Sequence, residues 1–152
     1  MRKNFFFSAL NVLVLCVIVF FVSTSFVAYS SLVGYVLILL SFMCLVSLKL
    51  FHINISSVVP DVIFGIIDNG ILAVMAFVGG EVAGVAGAVI GGVVGNAITD
   101  GIAGLFEGYW AERFTQTDKR TIVGSAVGKM AGCLLGAGVV LSAVSILGYS
   151  LN

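Results

Sequence analysis

Three ionisable residues lie deep within long apolar stretches of the sequence: Asp68, Asp100 and Lys129. Each is about nine or ten residues from one end of its stretch, which in a helix places it roughly 13–15 Å from the boundary. That depth is near the middle of a bilayer core about 30 Å thick. A charge there costs at least about 2.5–3.5 kcal/mol and marks a functional site by default. The three residues are therefore the first candidate site.

Other oxygen-bearing side chains extend this cluster, namely Asp61, Asn96, Thr99 and Glu107. Residues four or seven apart lie on one helix face, which groups Asn96 with Asp100 and Asp61 with Asp68. Thr99 lies beside the first pair. We expect Asp61 and Glu107 to line an inner vestibule that attracts a cation from the cytoplasm.

Two interpretations of the cluster remain open. In the first, Lys129 pairs with one aspartate to hold a helical bundle in register, and the other aspartate is protonated in its apolar surroundings. In the second, Asp68 and Asp100 bind a cation or proton, and Asn96 and Thr99 complete its shell. Oxygen ligands suit a hard or borderline divalent cation. The absence of His and Cys from the cluster argues against a zinc or copper cage.

The composition shows which elements must position these residues. Of the 152 residues, 61% are hydrophobic and 9% are charged, and the mean hydropathy is +1.23. Soluble domains usually carry about 25% charged residues, so this chain could not cover a water-facing surface. We predict an all-α, polytopic integral membrane bundle. The net charge of zero gives no indication of a nucleic-acid partner.

Five apolar stretches are long enough to cross a bilayer, and they cover residues 5–29, 32–51, 58–79, 82–109 and 121–147. Short turns are expected at 29–31 and 79–81, and polar connections at 52–57 and 111–120. The first stretch is longer than the core of a signal peptide, so we expect it to be retained. A cytoplasmic N-terminus places six of the seven basic residues inside, and Lys129 lies within the fifth stretch.

The two parts of the chain differ in amino-acid composition. Residues 1–57 form a hydrophobic two-helix hairpin, whereas residues 58–152 form a three-helix core that holds 18 of the 19 glycines and every acidic residue. Glycines recur every four residues in this core, at Gly87, Gly91 and Gly95 and again at Gly124, Gly128, Gly132 and Gly136. Such stripes predict close helix packing in lipid. The pattern leaves open whether the partner helix belongs to the same chain or to a second copy.

Two segments suggest a family. IIDNGILAVMAFVGG, residues 66–80, and GNAITDGIAGLFEGYWAER, residues 95–113, resemble the vacuolar iron transporter family. That family has an Asp-Gly-like element with a glycine-containing apolar run in one span, and an Asp-Gly run ending in an acidic residue and Tyr in the next. The residues at comparable places are Asp68, Asn96, Asp100, Gly101, Glu107 and Tyr109. The resemblance implies transport of iron or manganese, with Asp68 and Asp100 as metal ligands.

The leading hypothesis is a small transporter or channel-like protein for a divalent cation or a proton, working as a homo-oligomer in a membrane. The alternative is an accessory subunit of a larger membrane complex, packed through its glycine stripes. No motif of the common enzyme classes is present, so no enzymatic activity is expected. No cofactor is expected apart from a transported cation. The cysteines, Cys16, Cys44 and Cys133, are interpreted as packing residues.

Overall fold

The computed structural model describes residues 2–26, 30–113 and 121–149. These residues are arranged as α-helices with one short 3₁₀ helix, Ile55–Val58. The helices are α1 (Arg2–Phe26), α2 (Ser30–Leu50), α3 (Val59–Arg113) and α4 (Ile122–Ile146). All four are long and apolar enough to cross a membrane. The predicted all-α class is thus confirmed for the described part of the chain.

The long helix α3 is broken near its middle. Ala83 (φ −141°, ψ 24°) and Gly84 (φ 59°, ψ −142°) leave the helical region, and the backbone of Gly84 is in a region that is essentially restricted to glycine. We call residues 59–82 the first arm and residues 85–113 the second arm. The two arms fold back on one another, because Gly79 packs against Gly87 and Gly91 packs against Met75. The third and fourth predicted stretches are therefore the two arms of a tight helical hairpin.

The turn of this hairpin lies later than predicted. The sequence indicated a turn at residues 79–81, but the helix continues through these residues and breaks at Ala83 and Gly84. Gly79 and Gly80 suggested a loop because glycine is a poor helix former. Here Gly79 instead remains helical and allows the backbone of the second arm to approach closely at Gly87.

Helix α4 packs against both α3 and α2. Its glycine stripe lies on the first arm of α3, with Gly128 opposite Asp61 and Gly136 opposite Ile66. Residue numbers rise together along this contact, so α4 and the first arm run in parallel. A Cβ at Gly65 would lie 2.5 Å from the Lys129 carbonyl oxygen, which shows that the two backbones are in direct contact.

The opposite side of α4 packs against α2 in the antiparallel sense. The Ser41 hydroxyl, on a side chain that is 1% exposed, donates to the Ala131 carbonyl oxygen at 2.7 Å. Further along, Gly34 lies against Ser142. The core cluster draws on α1, α2, the 3₁₀ helix and α4, and it comprises Leu15, Cys44, Leu48, Val58, Val123, Val127 and Ala131. The regions 1–57 and 58–152 therefore share one bundle.

The connections differ in detail from the sequence expectation. Ser30 and Ser31, predicted as a turn, are the first residues of α2, whereas Tyr29 and residues 114–120 of the polar loop lie outside the described residues. After α2 the chain turns at His52, whose φ of 54° is in the left-handed region. Asn54 then caps the 3₁₀ helix by accepting a hydrogen bond from the Ser56 backbone N–H.

Candidate functional site

The two arms of α3 are joined by a polar contact between Asp68 and Thr99. Thr99 is 2% exposed, and its hydroxyl donates to Asp68 Oδ1 at 2.5 Å. The same hydroxyl oxygen lies 3.0 Å from the Asn96 carbonyl oxygen and 3.2 Å from that of Gly95. A hydroxyl has a single proton and two acceptor lone pairs. Thr99 can therefore donate a hydrogen bond to an ionised Asp68, or accept a hydrogen bond from a neutral Asp68 while donating to a carbonyl oxygen of its own helix.

The glycine stripe of the second arm places this contact. Gly87, Gly91, Gly95 and Thr99 follow one another every four residues, so they lie on the same helix face. That face packs on the first arm, where a Cβ at Gly95 would lie 3.0 Å from Leu72 Cα. Because the backbones are so close, the short threonine side chain reaches the carboxylate on the other arm.

Asn96 and Asp100 form a second polar pair. The Asn96 side-chain amide donates to Asp100 Oδ2 at 3.0 Å, and both residues are exposed. The hydrogen bond of Asp100 is thus with its own helix, while that of Asp68 is with Thr99. The sequence interpretation placed both aspartates and Asn96 around one ion, whereas the structure shows two pairs on different faces of the second arm. Among the described residues, no three His, Cys, Asp or Glu side chains are grouped so as to hold a metal ion.

Asp61 is buried between the first turn of α3 and helix α4. It is 2% exposed, the Ser125 hydroxyl donates to its Oδ1 at 3.0 Å, and its Oδ2 has no hydrogen-bond partner. From the sequence, Asp61 was expected to line an inner vestibule, and in the described bundle its side chain is packed against α4. Its expected partner in the vestibule, Glu107, lies in α3, but the side chain of Glu107 is outside the described part of the chain.

Lys129 lies along the same face of the first arm as the buried Asp61 and the half-buried Asp68. Its Nζ is 4.8 Å from the centroid of the Phe64 ring, a cation–π distance. Phe64 follows Asp61 by three residues and precedes Asp68 by four, so the three lie on one face of the first arm. The Cys133 thiol, one turn after Lys129, is within electrostatic range of both Asp68 and Lys129.

This set of residues, Asp61, Asp68, Thr99, Ser125 and Lys129, is called the interface cluster below. Two carboxylates and one ammonium carry a net charge of −1 when all are ionised. One proton or one monovalent cation neutralises that charge. Sequence reasoning missed Ser125 as the partner of Asp61. Ser125 lies four residues before Lys129, so both residues are on one face of α4. This spacing could have identified Ser125 as a candidate partner.

Both glycine stripes are used within the chain. The stripe of the second arm packs on the first arm, and the stripe of α4 packs on the other side of that arm, with Gly124 near Val58 and Gly132 against Val62. The first arm is thus held between two glycine-lined helices. The sequence left open whether each stripe packs on a helix of the same chain or on a second copy. These contacts show that both stripes pack on a helix of the same chain.

An open groove of about 360 Å³ lies beside the interface cluster. Its lining residues are all apolar or glycine, and they are Ile66, Ile67, Gly70, Ile71, Val74, Met75 and Val140. The groove supplies no charged or hydrogen-bonding side chain to a hydrated ion. The groove by itself is therefore not a polar binding site.

In comparisons with known proteins, no family model, no curated protein and no solved structure matches this chain. The resemblance to the vacuolar iron transporter family accordingly stays a prediction.

Proposed function

We propose that the chain is a multi-pass membrane protein that crosses the bilayer five times. Each arm of α3 exceeds the roughly 20 residues that one crossing requires. The helix directions support alternate crossings, since α4 is parallel to the first arm and antiparallel to α2. The outer surface of α1 carries large apolar side chains, for example Phe20 and Phe21 at 62% and 63% exposure. Contact of such an apolar surface with lipid chains is favourable, whereas its exposure to water is unfavourable.

Within that membrane topology, we propose that the interface cluster binds and passes a proton. The observation that carries this proposal is the partly buried hydrogen bond of 2.5 Å between Thr99 and Asp68. Thr99 can form a hydrogen bond with Asp68 whether that carboxyl group is ionised or neutral. A proton requires only one carboxyl group and one hydrogen-bond partner. A divalent cation such as Fe²⁺ or Mn²⁺ requires several oxygen ligands, and the described side chains around Asp68 offer fewer.

Asp61 and Lys129 extend the proton site along the α3–α4 interface. Asp61 is seven residues from Asp68, which is about 10 Å along the helix. Lys129 and Phe64 lie at the level between them. Asp61 Oδ2 has no hydrogen-bond partner, so this carboxyl group can accept a further hydrogen bond at its end of the cluster.

The test is proton flux into liposomes that contain the purified protein and a pH-sensitive dye, driven by a potassium diffusion potential. Wild type is expected to pass protons, and Asp68→Asn is expected to abolish the flux. Glu81→Gln is the matched control, since Glu81 is exposed near the hairpin turn, away from the cluster. Equal flux in wild type and Asp68→Asn would refute the site. Iron or manganese uptake that requires both Asp68 and Asp100 would instead support the divalent-cation hypothesis.

A second candidate function is that of an accessory subunit in a larger membrane complex. The exposed Asn96–Asp100 pair favours it, because a polar pair on the outside of a membrane helix calls for a protein partner. This function predicts no flux of any cation from correctly folded protein, together with co-purification of a different membrane protein. Flux that depends on Asp68 would count against it.

A further inference from the structure

One outer stripe of the second arm of α3 carries both apolar and polar side chains. Its members follow one another at spacings of three or four residues and so share one helix face. They are Val85, Val89, Val93, Asn96 and Asp100. The three valines are 61–84% exposed, and the two polar residues are exposed as well. The stripe therefore combines β-branched apolar residues with one hydrogen-bonded polar pair.

The depth of that pair sets it apart from other exposed groups. Asp100 follows Thr99, which bonds Asp68, and Asp68 lies about 13–14 Å from the start of the first arm. In the five-span topology, the pair would face hydrocarbon near the middle of the bilayer. Ionisable residues within membrane spans almost always face protein or a water-filled cavity. By contrast, the exposed side chains in the middle of α1, such as Leu13, Val17 and Phe21, are apolar and suit lipid.

We infer that this outer stripe is the contact surface for a second copy of the chain. A two-fold axis along the membrane normal brings the same face of both copies together. Asn96 has an amide donor to offer, and Asp100 has carboxylate acceptors. Across the axis, the Asn96 amide donates to Asp100 of the partner subunit, and the reciprocal bond forms by symmetry. The stripe thus carries both the donor and the acceptor that a second copy of the same stripe requires. A surface that binds a different protein would not need to carry both.

The apolar part of the stripe fits the same arrangement. Valine has one strongly preferred rotamer in a helix, so it loses little side-chain freedom on packing. A polar position within an apolar helix seam sets the register of the pairing. The glycine face of the second arm is already occupied by the first arm, whereas the valine face is exposed and carries the polar pair. This inference rests on the five-span topology proposed above and is independent of proton transfer.

The test is disulfide cross-linking in native membranes at low expression. Val89→Cys and Val93→Cys are introduced separately into a chain whose Cys16, Cys44 and Cys133 are replaced by alanine. A disulfide requires Cα atoms about 4.4–6.8 Å apart, so it reports direct contact. We expect a cross-linked dimer from at least one of the two variants. The matched control is Val17→Cys, a valine on the outer face of α1 that is 54% exposed and is expected to remain monomeric.

A second variant examines the polar pair itself. Asn96→Val removes the amide donor, and losing two symmetric bonds should raise the dimer dissociation constant in detergent roughly eight-fold, from typical interhelical hydrogen-bond energies in membranes. A monomer that keeps its thermal stability shows that Asn96→Val has not unfolded the chain. An unchanged dissociation constant would overturn the role of the pair.

Three other results would overturn the docking surface. They are no dimer from either valine position in membrane-inserted protein, equal cross-linking from Val17→Cys, or cross-linking of Val93→Cys to a different protein. Thiol labelling of Glu81→Cys and Ile53→Cys from opposite sides of the membrane checks the topology separately. A failed topology is therefore distinguishable from a failed dimer.

Discussion

The contact between the first arm and α4 predicts sharply different effects for two glycine substitutions in the same helix. A Cβ at Gly65 would lie 2.5 Å from the Lys129 carbonyl oxygen and 2.6 Å from the Cys133 backbone nitrogen. A Cβ at Gly70 would have no atom within 4 Å. Gly65→Ala should therefore destabilise the bundle, and Gly70→Ala should not.

The magnitude follows from these distances. Ordinary van der Waals contact begins at about 3.4 Å, so the Gly65→Ala methyl is about 0.9 Å too close to two backbone atoms, which cannot rotate away as a side chain can. The helices must separate locally, and overpacking of this kind costs about 1–3 kcal/mol. For a chain of this size, about 2 kcal/mol lowers Tm by roughly 4–8 °C. Gly70→Ala gains helix propensity and is expected to be neutral or up to about 1 kcal/mol more stable.

The assay is thermal unfolding of both variants and wild type in the same detergent, with the folded fraction measured by size-exclusion chromatography after heating. The parallel contact of α4 with the first arm requires a lower Tm for Gly65→Ala alone. If the two variants unfold together, the first arm is not packed against α4 at Lys129, and the reasoning is refuted.

Three further substitutions test the polar contacts and the turn by the same thermal assay. Ser125→Ala leaves Asp61 without its hydrogen-bond donor and should lower the free energy of unfolding by about 1–3 kcal/mol. The double variant Ser125→Ala, Asp61→Ala should lose less stability than the sum of the two single losses, and additive losses would contradict the pairing. Gly84→Ala should cost about 1–3 kcal/mol although its Cβ has open space, because only its positive φ resists a side chain; no change in Tm would mean a different turn. Ser41→Ala should cost about 0.5–1.5 kcal/mol by removing the bond to Ala131, whereas Ser25→Ala, which alters only a bond within exposed α1, should have little effect.

The sequence alone was sufficient for the all-α class and for the approximate extent of each helix. Within a bilayer, a single apolar run satisfies its own backbone hydrogen bonds as a helix, and the prediction rested on this rule. Glycines spaced by four residues, such as Gly128 and Gly132, also predicted close helix packing correctly. These features depend on composition and on the helical repeat, and both can be read along the chain without knowledge of the partner helix.

The hairpin turn could not be placed from the local sequence. Gly79, Gly80 and Gly84 are all poor helix formers, and propensity does not say which of them breaks the helix. The packing of the two arms determines which glycine breaks the helix. Gly79 lies within the helix opposite Gly87, whereas a Cβ at Gly84 would meet no neighbouring atom.

The pairing of the charged residues was likewise decided only by the tertiary structure. The helical repeat correctly grouped Asn96 with Asp100, but it could not show that this face points outward while Thr99 points toward Asp68. One residue along a helix is a rotation of about 100°, so Thr99 and Asp100 face different surroundings. Asp61 was expected in a vestibule and is buried instead, because the position of α4 is set by its glycine contacts with the first arm. The residue types and their positions along the helices are therefore properties of the sequence, whereas the side chains that meet are determined by how the helices pack.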